Sequence, residues 1–117
     1  MLTLIHYPNC TGCRKAKKWL EQHDVAFEAV HIVEATPSAE ELKVIWQASE
    51  LPLKKFFNTS GMKYRELGLK DKLATMSEEE QLALLASDGM LIKRPIVTDG
   101  KKVTLGFKEE TFEQTWK

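Results

Sequence analysis

Two cysteines, Cys10 and Cys13, sit where the hydrophobic period of this chain changes, and that junction limits its possible folds more than any other feature. The run Leu2 to Tyr7 is apolar and β-prone, and Pro8-Asn9 ends it. From Cys10 to His23 the spacing becomes helical. Cys13, Ala16, Lys17 and Leu20 fall on one side with Trp19 flanking them, while Arg14, Lys15, Lys18 and Glu21 face water. Phe27 to Val33 reads again as a strand. The order is strand, turn, helix, strand, with Cys10-Thr11-Gly12-Cys13 at the turn, and so short a crossover favours two parallel strands.

The middle of the chain reads as helices. Thr36-Pro37-Ser38 is a helix start, and Ser38 and Glu41 are spaced as a capping box. Leu42, Ile45, Trp46 and Ser49 form the inward stripe of that helix. Pro52 opens a short helix ending near Asn58, Gly61 breaks the chain, and Tyr64 to Leu69 reads as one more helical turn. Ser77 and Glu80 make a second capping box for a helix to Ala86, which Asp88-Gly89 stops. Strands then return. Met90 to Val97 is β-like, but Pro95 confines it to an edge, a strand start or an unusual turn. Thr98-Asp99-Gly100-Lys101 is a hairpin signal before Val103 to Phe107, and Lys108 to Lys117 can close the chain as a helix with Phe112 and Trp116 at i,i+4. No repeat, low-complexity tract or linker interrupts the sequence, so residues 1–117 are expected to form one domain with a helical insertion at about 36–88.

Two residues between the cysteines let the sulfurs meet if Cys10 immediately precedes a helix and Cys13 lies in its first turn. The first sulfur then faces unsatisfied backbone N–H groups and the positive end of the helix dipole, both of which favour thiolate. Arg14 and Lys15 are placed to add to this effect. Cys10 is thereby the expected nucleophile and Cys13 the resolving thiol, with Gly12 leaving room for a second thiol to approach. The alternatives are two unrelated buried cysteines, or zinc. Structural zinc needs four protein ligands, and the spacing of His6, His23 and His31 to the pair fits no standard finger. The remaining aromatics sit at core spacings, and Lys15, Lys17 and Lys18 read as a solvated face.

Composition narrows the partners. The 117 residues are 43% hydrophobic and carry seventeen basic and seventeen acidic side chains, so no broad electrostatic footprint for nucleic acid or an anionic membrane is expected. No stretch approaches the roughly 20 apolar residues of a membrane span. With no basic leader before the first apolar run and only two cysteines, the expected compartment is the cytoplasm, where a lone cysteine pair is more often catalytic, redox-sensing or metal-binding than structural.

Three separated blocks carry a resemblance: Tyr7-Pro8-Asn9-Cys10-Thr11-Gly12-Cys13-Arg14-Lys15-Ala16, Tyr64-Arg65-Glu66-Leu67-Gly68-Leu69, and Leu91-Ile92-Lys93-Arg94-Pro95-Ile96-Val97 followed by Leu105-Gly106-Phe107. On these blocks the chain resembles the arsenate reductase (ArsC)/Spx family of thioredoxin-fold proteins, nearest to its short members with a C-x-x-C motif. The resemblance implies an α/β, thioredoxin-like fold: a four-stranded mixed sheet in the order β-α-β, helical insertion, β-β-α. It also implies a cis Arg94-Pro95 bond facing the cysteine loop. For function it implies a thiol–disulfide oxidoreductase with a reversible Cys10-Cys13 disulfide, Arg94 favouring a thiolate or an anionic substrate, and glutathione, glutaredoxin or thioredoxin as thiol partner. No metal or other cofactor is implied. The alternative is an Spx-type redox-controlled regulator that binds the RNA polymerase α-subunit.

The departures from each branch are informative. Glutathione-coupled arsenate reductases hold the oxyanion with three arginines, of which only Arg94 is matched, Asn58 and Phe107 standing at the other two positions. Phosphate-like anions favour arginine forks, so this argues against arsenate. Spx regulators have glycine where this chain has Pro52, and a basic C-terminal extension that is not expected here, the sequence ending at Lys117.

Overall fold

In the computed structural model, residues 2–59 and 61–116 are described, and they build around one central strand. This is β1 (Leu2–His6), whose alternating side chains reach both faces of the sheet. It pairs in parallel with β2 (Phe27–His31), Leu4 opposite Ala29, through the crossover helix α1 (Thr11–Gln22). On its other side it pairs antiparallel with β3 (Ile96–Thr98), Leu4 opposite Val97, and β3 pairs antiparallel with β4 (Val103–Leu105). The strand order is β2-β1-β3-β4, the four-stranded mixed sheet of the thioredoxin-like fold.

Between β2 and β3 the chain forms α2 (Ala39–Ser49), α3 (Met62–Glu66), α4 (Leu69–Lys72) and α5 (Glu78–Ser87), with 3₁₀ turns at Leu53–Phe56, Leu73–Thr75 and Gly89–Leu91. A last helix, α6 (Glu109–Thr115), follows β4; the expected end of this helix at Lys117 lies outside the described residues. Both capping boxes form. The Ser38 hydroxyl accepts from the Glu41 N–H at 3.2 Å, and that of Ser77 from the Glu80 N–H at 3.1 Å, with each glutamate bonded back to the serine N–H. The two sheet faces bury separate clusters. Leu2, Leu4 and Val97 pack with α1 and α6 through Ala16, Trp19, Leu20, Phe112 and Trp116. Ile5 and Ile96 pack on the other face with Ile32, Leu42, Phe56, Leu85 and their neighbours.

Several expectations are corrected. The inward stripe of α1 is Cys13, Ala16, Trp19 and Leu20, and Lys17 is exposed. Trp19 wins the position because it packs edge-on against Phe112 at 5.3 Å, whereas a buried ammonium would lose its hydration. β2 ends at His31 rather than Val33, because the His31 Nδ1 accepts the N–H groups of Val33 and Glu34 and turns the chain. Leu69 to Thr75, given no helix beyond Leu69 by sequence, is helical and buries Leu69 and Leu73.

Met90 to Val97 is not one strand. The Asp88 carboxylate accepts the Met90 N–H at 2.9 Å and opens a 3₁₀ turn. Residues 91–93 then give their backbone groups to another loop: Asn58 N–H donates to Leu91 at 2.7 Å, and Lys93 N–H to Phe56 at 2.7 Å. β3 begins only after Pro95, which has no N–H for the ladder. It is an interior strand, so the edge reading of Pro95 gives way to that of a strand start.

Candidate functional site

Where β1 ends, the chain turns through Pro8-Asn9 and enters α1 with Cys10 as its N-cap. Cys10 is extended, at φ −93° and ψ 119°, and its Sγ takes the place a serine or aspartate oxygen usually fills, accepting the Cys13 N–H at 3.3 Å. Thr11 is the exposed first residue of the helix, and Gly12 follows it. Cys13 lies beneath, only 2% exposed, and its Sγ accepts the Tyr7 N–H at 3.5 Å. Both cysteines are free thiols.

The two thiols are held in different states. Burial opposes ionisation of Cys10, but it is outweighed by hydrogen bonds from the Cys13 thiol and backbone N–H and by the Arg94 guanidinium, so Cys10 lies below its ordinary 9.0. Cys13 is pushed up to about 12, first by burial and then by its bond to Cys10 and the charge there. Arg14 and Lys15 do not contribute as expected: both are exposed, and Arg14 Nε donates to the Pro8 carbonyl at 2.9 Å.

Arg94 enters from the far side of the sheet's centre, ahead of β3. The Arg94-Pro95 bond is cis, and Pro95 packs over the cysteine turn: a Cβ placed on Gly12 would stand 3.8 Å from Pro95 Cδ and 4.0 Å from Cys10 Sγ. Arg94 Nε and Nη1 are buried and have no hydrogen-bond partner. The Arg94 Cζ lies 5.1 Å from the centre of the Tyr7 ring, a cation–π contact. A cleft of about 620 Å³ opens beside Arg94, lined also by Asn58, Met62, Lys63, Glu66 and Met90.

All six residues singled out by sequence converge here: Cys10, Thr11, Gly12 and Cys13 on the turn, Arg94 and Pro95 across it. Of the two positions where arginines are missing, only Asn58 shares the Arg94 cleft. Phe107 packs edge-on against Phe112 at 4.9 Å and belongs to the core around α6. A larger cleft of about 900 Å³, bordered by Lys54, Lys55, Lys70 and Lys93, includes none of the cysteine-site residues. Tyr7 was missed as a site residue. The available signal was an aromatic side chain ending the strand that feeds the motif.

The sequence pattern of the ArsC family matches residues 5–115, a span that contains both cysteines, Arg94 and Pro95. The chain belongs to the ArsC family. Within it, the chain is 66% identical to the uncharacterized protein YusI of Bacillus subtilis over 115 residues, covering 98% of each. It is 36% identical over 111 residues to the global transcriptional regulator Spx of Streptococcus agalactiae, covering 94% of this chain and 79% of Spx. Among solved structures, an ArsC family related protein from Bacteroides fragilis superposes with a TM-score of 0.92 at 50% identity, covering 97% of this chain and 95% of that one.

Proposed function

We propose that this ArsC-family protein is a thiol–disulfide oxidoreductase in which Cys10 attacks and Cys13 resolves. The observation that carries the reading is the Cys10 sulfur capping α1 at 3.3 Å from the Cys13 N–H, with the buried Cys13 thiol directly behind it. The Cys10 thiolate attacks one sulfur of a partner disulfide. That bond breaks, and the departing thiolate takes a proton from water. Cys13 then loses its proton and attacks Cys10 Sγ, which releases the second partner thiol and leaves a Cys10-Cys13 disulfide. Two electrons pass to the partner. An external thiol such as glutathione, glutaredoxin or thioredoxin returns them.

Burial, the largest influence raising Cys13, persists in the mixed disulfide, but the second step is eased there. Two of the other influences that raise Cys13, the bond to Cys10 and the Cys10 charge, vanish once Cys10 is bonded to a partner. The Tyr7 N–H and Arg94, which lower it, remain. Arsenate is disfavoured as substrate, since Asn58 and Phe107 leave one arginine where an oxyanion needs several forks.

The similarity to Spx supports a second reading, in which the same dithiol switches a transcriptional regulator. One experiment separates them. Cys13→Ser protein is incubated in lysate under mild oxidation, and captured partners are released by reductant and identified. The oxidoreductase reading expects mixed disulfides through Cys10, with glutathione or thiol-bearing proteins, that vanish in the Cys10→Ser/Cys13→Ser double variant. Capture of nothing, with wild-type protein forming only its internal disulfide, overturns it in favour of the switch.

A further inference from the structure

Tyr7 meets both cysteines through its backbone and Arg94 through its ring. Its backbone carbonyl accepts the Cys10 N–H at 3.0 Å, and its N–H donates to Cys13 Sγ at 3.5 Å. Its half-buried ring meets the Arg94 guanidinium at 5.1 Å and stands edge-on to the His31 ring at 5.7 Å. The backbone contacts survive any substitution short of proline. The ring contact does not, and its importance follows from what Arg94 lacks.

A buried guanidinium normally has its N–H groups matched by acceptors. Here Nε and Nη1 are buried and unmatched, and no ion pair with a carboxylate holds the residue among the described residues. Arg94 also faces the Cys10 sulfur, and the electron-rich face of the Tyr7 ring is a second attraction for a cation so placed, one that desolvation strengthens. His31 braces the ring in turn, its own Nδ1 fixed by the N–H groups of Val33 and Glu34 at 3.2 and 3.1 Å. We propose that Tyr7 is a positioning residue: its ring holds the Arg94 guanidinium against Cys10, and the thiolate character of Cys10 depends on that ring. The proposal rests on the thiol reading above. The charged and titratable groups around the ring and the guanidinium are Arg94, His31 and the adjoining His6, with Lys63 and Glu66 lining the cleft beside Arg94; His6 is held below its ordinary value first by burial, then by Lys17 and His31.

The test measures the pH dependence of iodoacetamide labelling of Cys10 in a Cys13→Ser background. Tyr7→Leu keeps apolar bulk and removes the ring. It is expected to move the Cys10 midpoint upward, part of the way to that of Arg94→Ala, and to add nothing once Arg94 is alanine. Tyr7→Phe, which keeps the ring face, is expected to restore the parent midpoint. Folding is checked in each variant by near-UV circular dichroism. A Tyr7→Leu protein that folds and titrates like the parent overturns the role of the ring while leaving an activated Cys10 in place. So does a Tyr7→Phe protein shifted as far as Tyr7→Leu, which would assign the effect to the hydroxyl. A parent Cys10 that titrates as an ordinary thiol overturns the thiol reading and this proposal together.

Discussion

Gly12 sits inside the first turn of a helix, where glycine costs up to about 1 kcal/mol relative to alanine, and it has neither a positive φ nor a clash to explain it. A Cβ there would meet Pro95 Cδ at 3.8 Å and Cys10 Sγ at 4.0 Å, both ordinary contacts. What the extra carbon would do is cover the Cys10 sulfur. Gly12→Ala is therefore expected to raise stability by about 0.5 kcal/mol in urea unfolding. It should also slow Cys10 attack on a bulky aromatic disulfide several-fold while leaving iodoacetamide labelling nearly unchanged. Equal slowing with both reagents would mean that the glycine tunes the thiol and not access to it. At this scale the sequence was legible where chemistry is local: a C-x-x-C motif at a strand-to-helix junction states its own geometry. Tyr7 was not legible, because its role depends on Arg94 and His31 arriving from positions distant in the chain.

Elements with their own start and stop signals were read closely. The two serine–glutamate boxes set the N-termini of α2 and α5, since each satisfies orphan N–H groups within four residues. The segment before β3 departs from its strand-like pattern because its hydrogen bonds are long-range. Leu91 and Lys93 bond to the chain around Phe56 and Asn58, and no local pattern announces that. Gly89, just ahead of that segment, is constrained by a different contact. A Cβ there would overlap the Ile32 carbonyl oxygen and lie 2.8 Å from its carbon, and a backbone group just past β2 cannot swing aside as a long side chain could. Gly89→Ala is expected to cost about 1–3 kcal/mol, as overpacking of a tight site does. The measurement is the urea midpoint against wild type, with Gly12→Ala as the control, since a Cβ on Gly12 would make only ordinary contacts and its φ is not positive. A Gly89→Ala protein as stable as wild type would show that the 3₁₀ turn slides freely against Ile32. Because Gly89–Leu91 leads into the chain that delivers Arg94, the strain should also be read at the cysteine site.

Across the whole molecule, one sheet buries two apolar clusters, and charge contributes little to holding it together: among the described residues there is one ion pair, Lys63 to Asp88 at 3.9 Å, partly exposed. Glu80 and Asp99 are exposed carboxylates held below their ordinary values by nearby hydrogen bonds, first from the Ser77 backbone N–H for Glu80 and from the Lys102 N–H for Asp99. The half-buried Cys10 and the buried Cys13 both make stability depend on pH, and their signs oppose. Cys10 lies below 9.0 in the folded state, so between its folded value and 9.0 the folded chain ionises first and stability rises with pH. Cys13, raised to about 12, does the reverse. Below 9.0 both states keep its proton and it contributes nothing to the pH dependence; between 9.0 and about 12 the unfolded chain releases the proton, the folded chain holds it, and stability falls as pH rises. Cys13→Ser removes that loss and also the packing of a 2% exposed thiol, so the variant should start less stable near neutral pH. The gap between wild type and variant is expected to narrow steadily from pH 9 to pH 11 in urea unfolding under a phosphine reductant, because only wild type carries the Cys13 term. A gap that stays constant over that range would mean that Cys13 ionises as readily folded as unfolded, and the burial that distinguishes Cys13 from Cys10 would then have no energetic consequence.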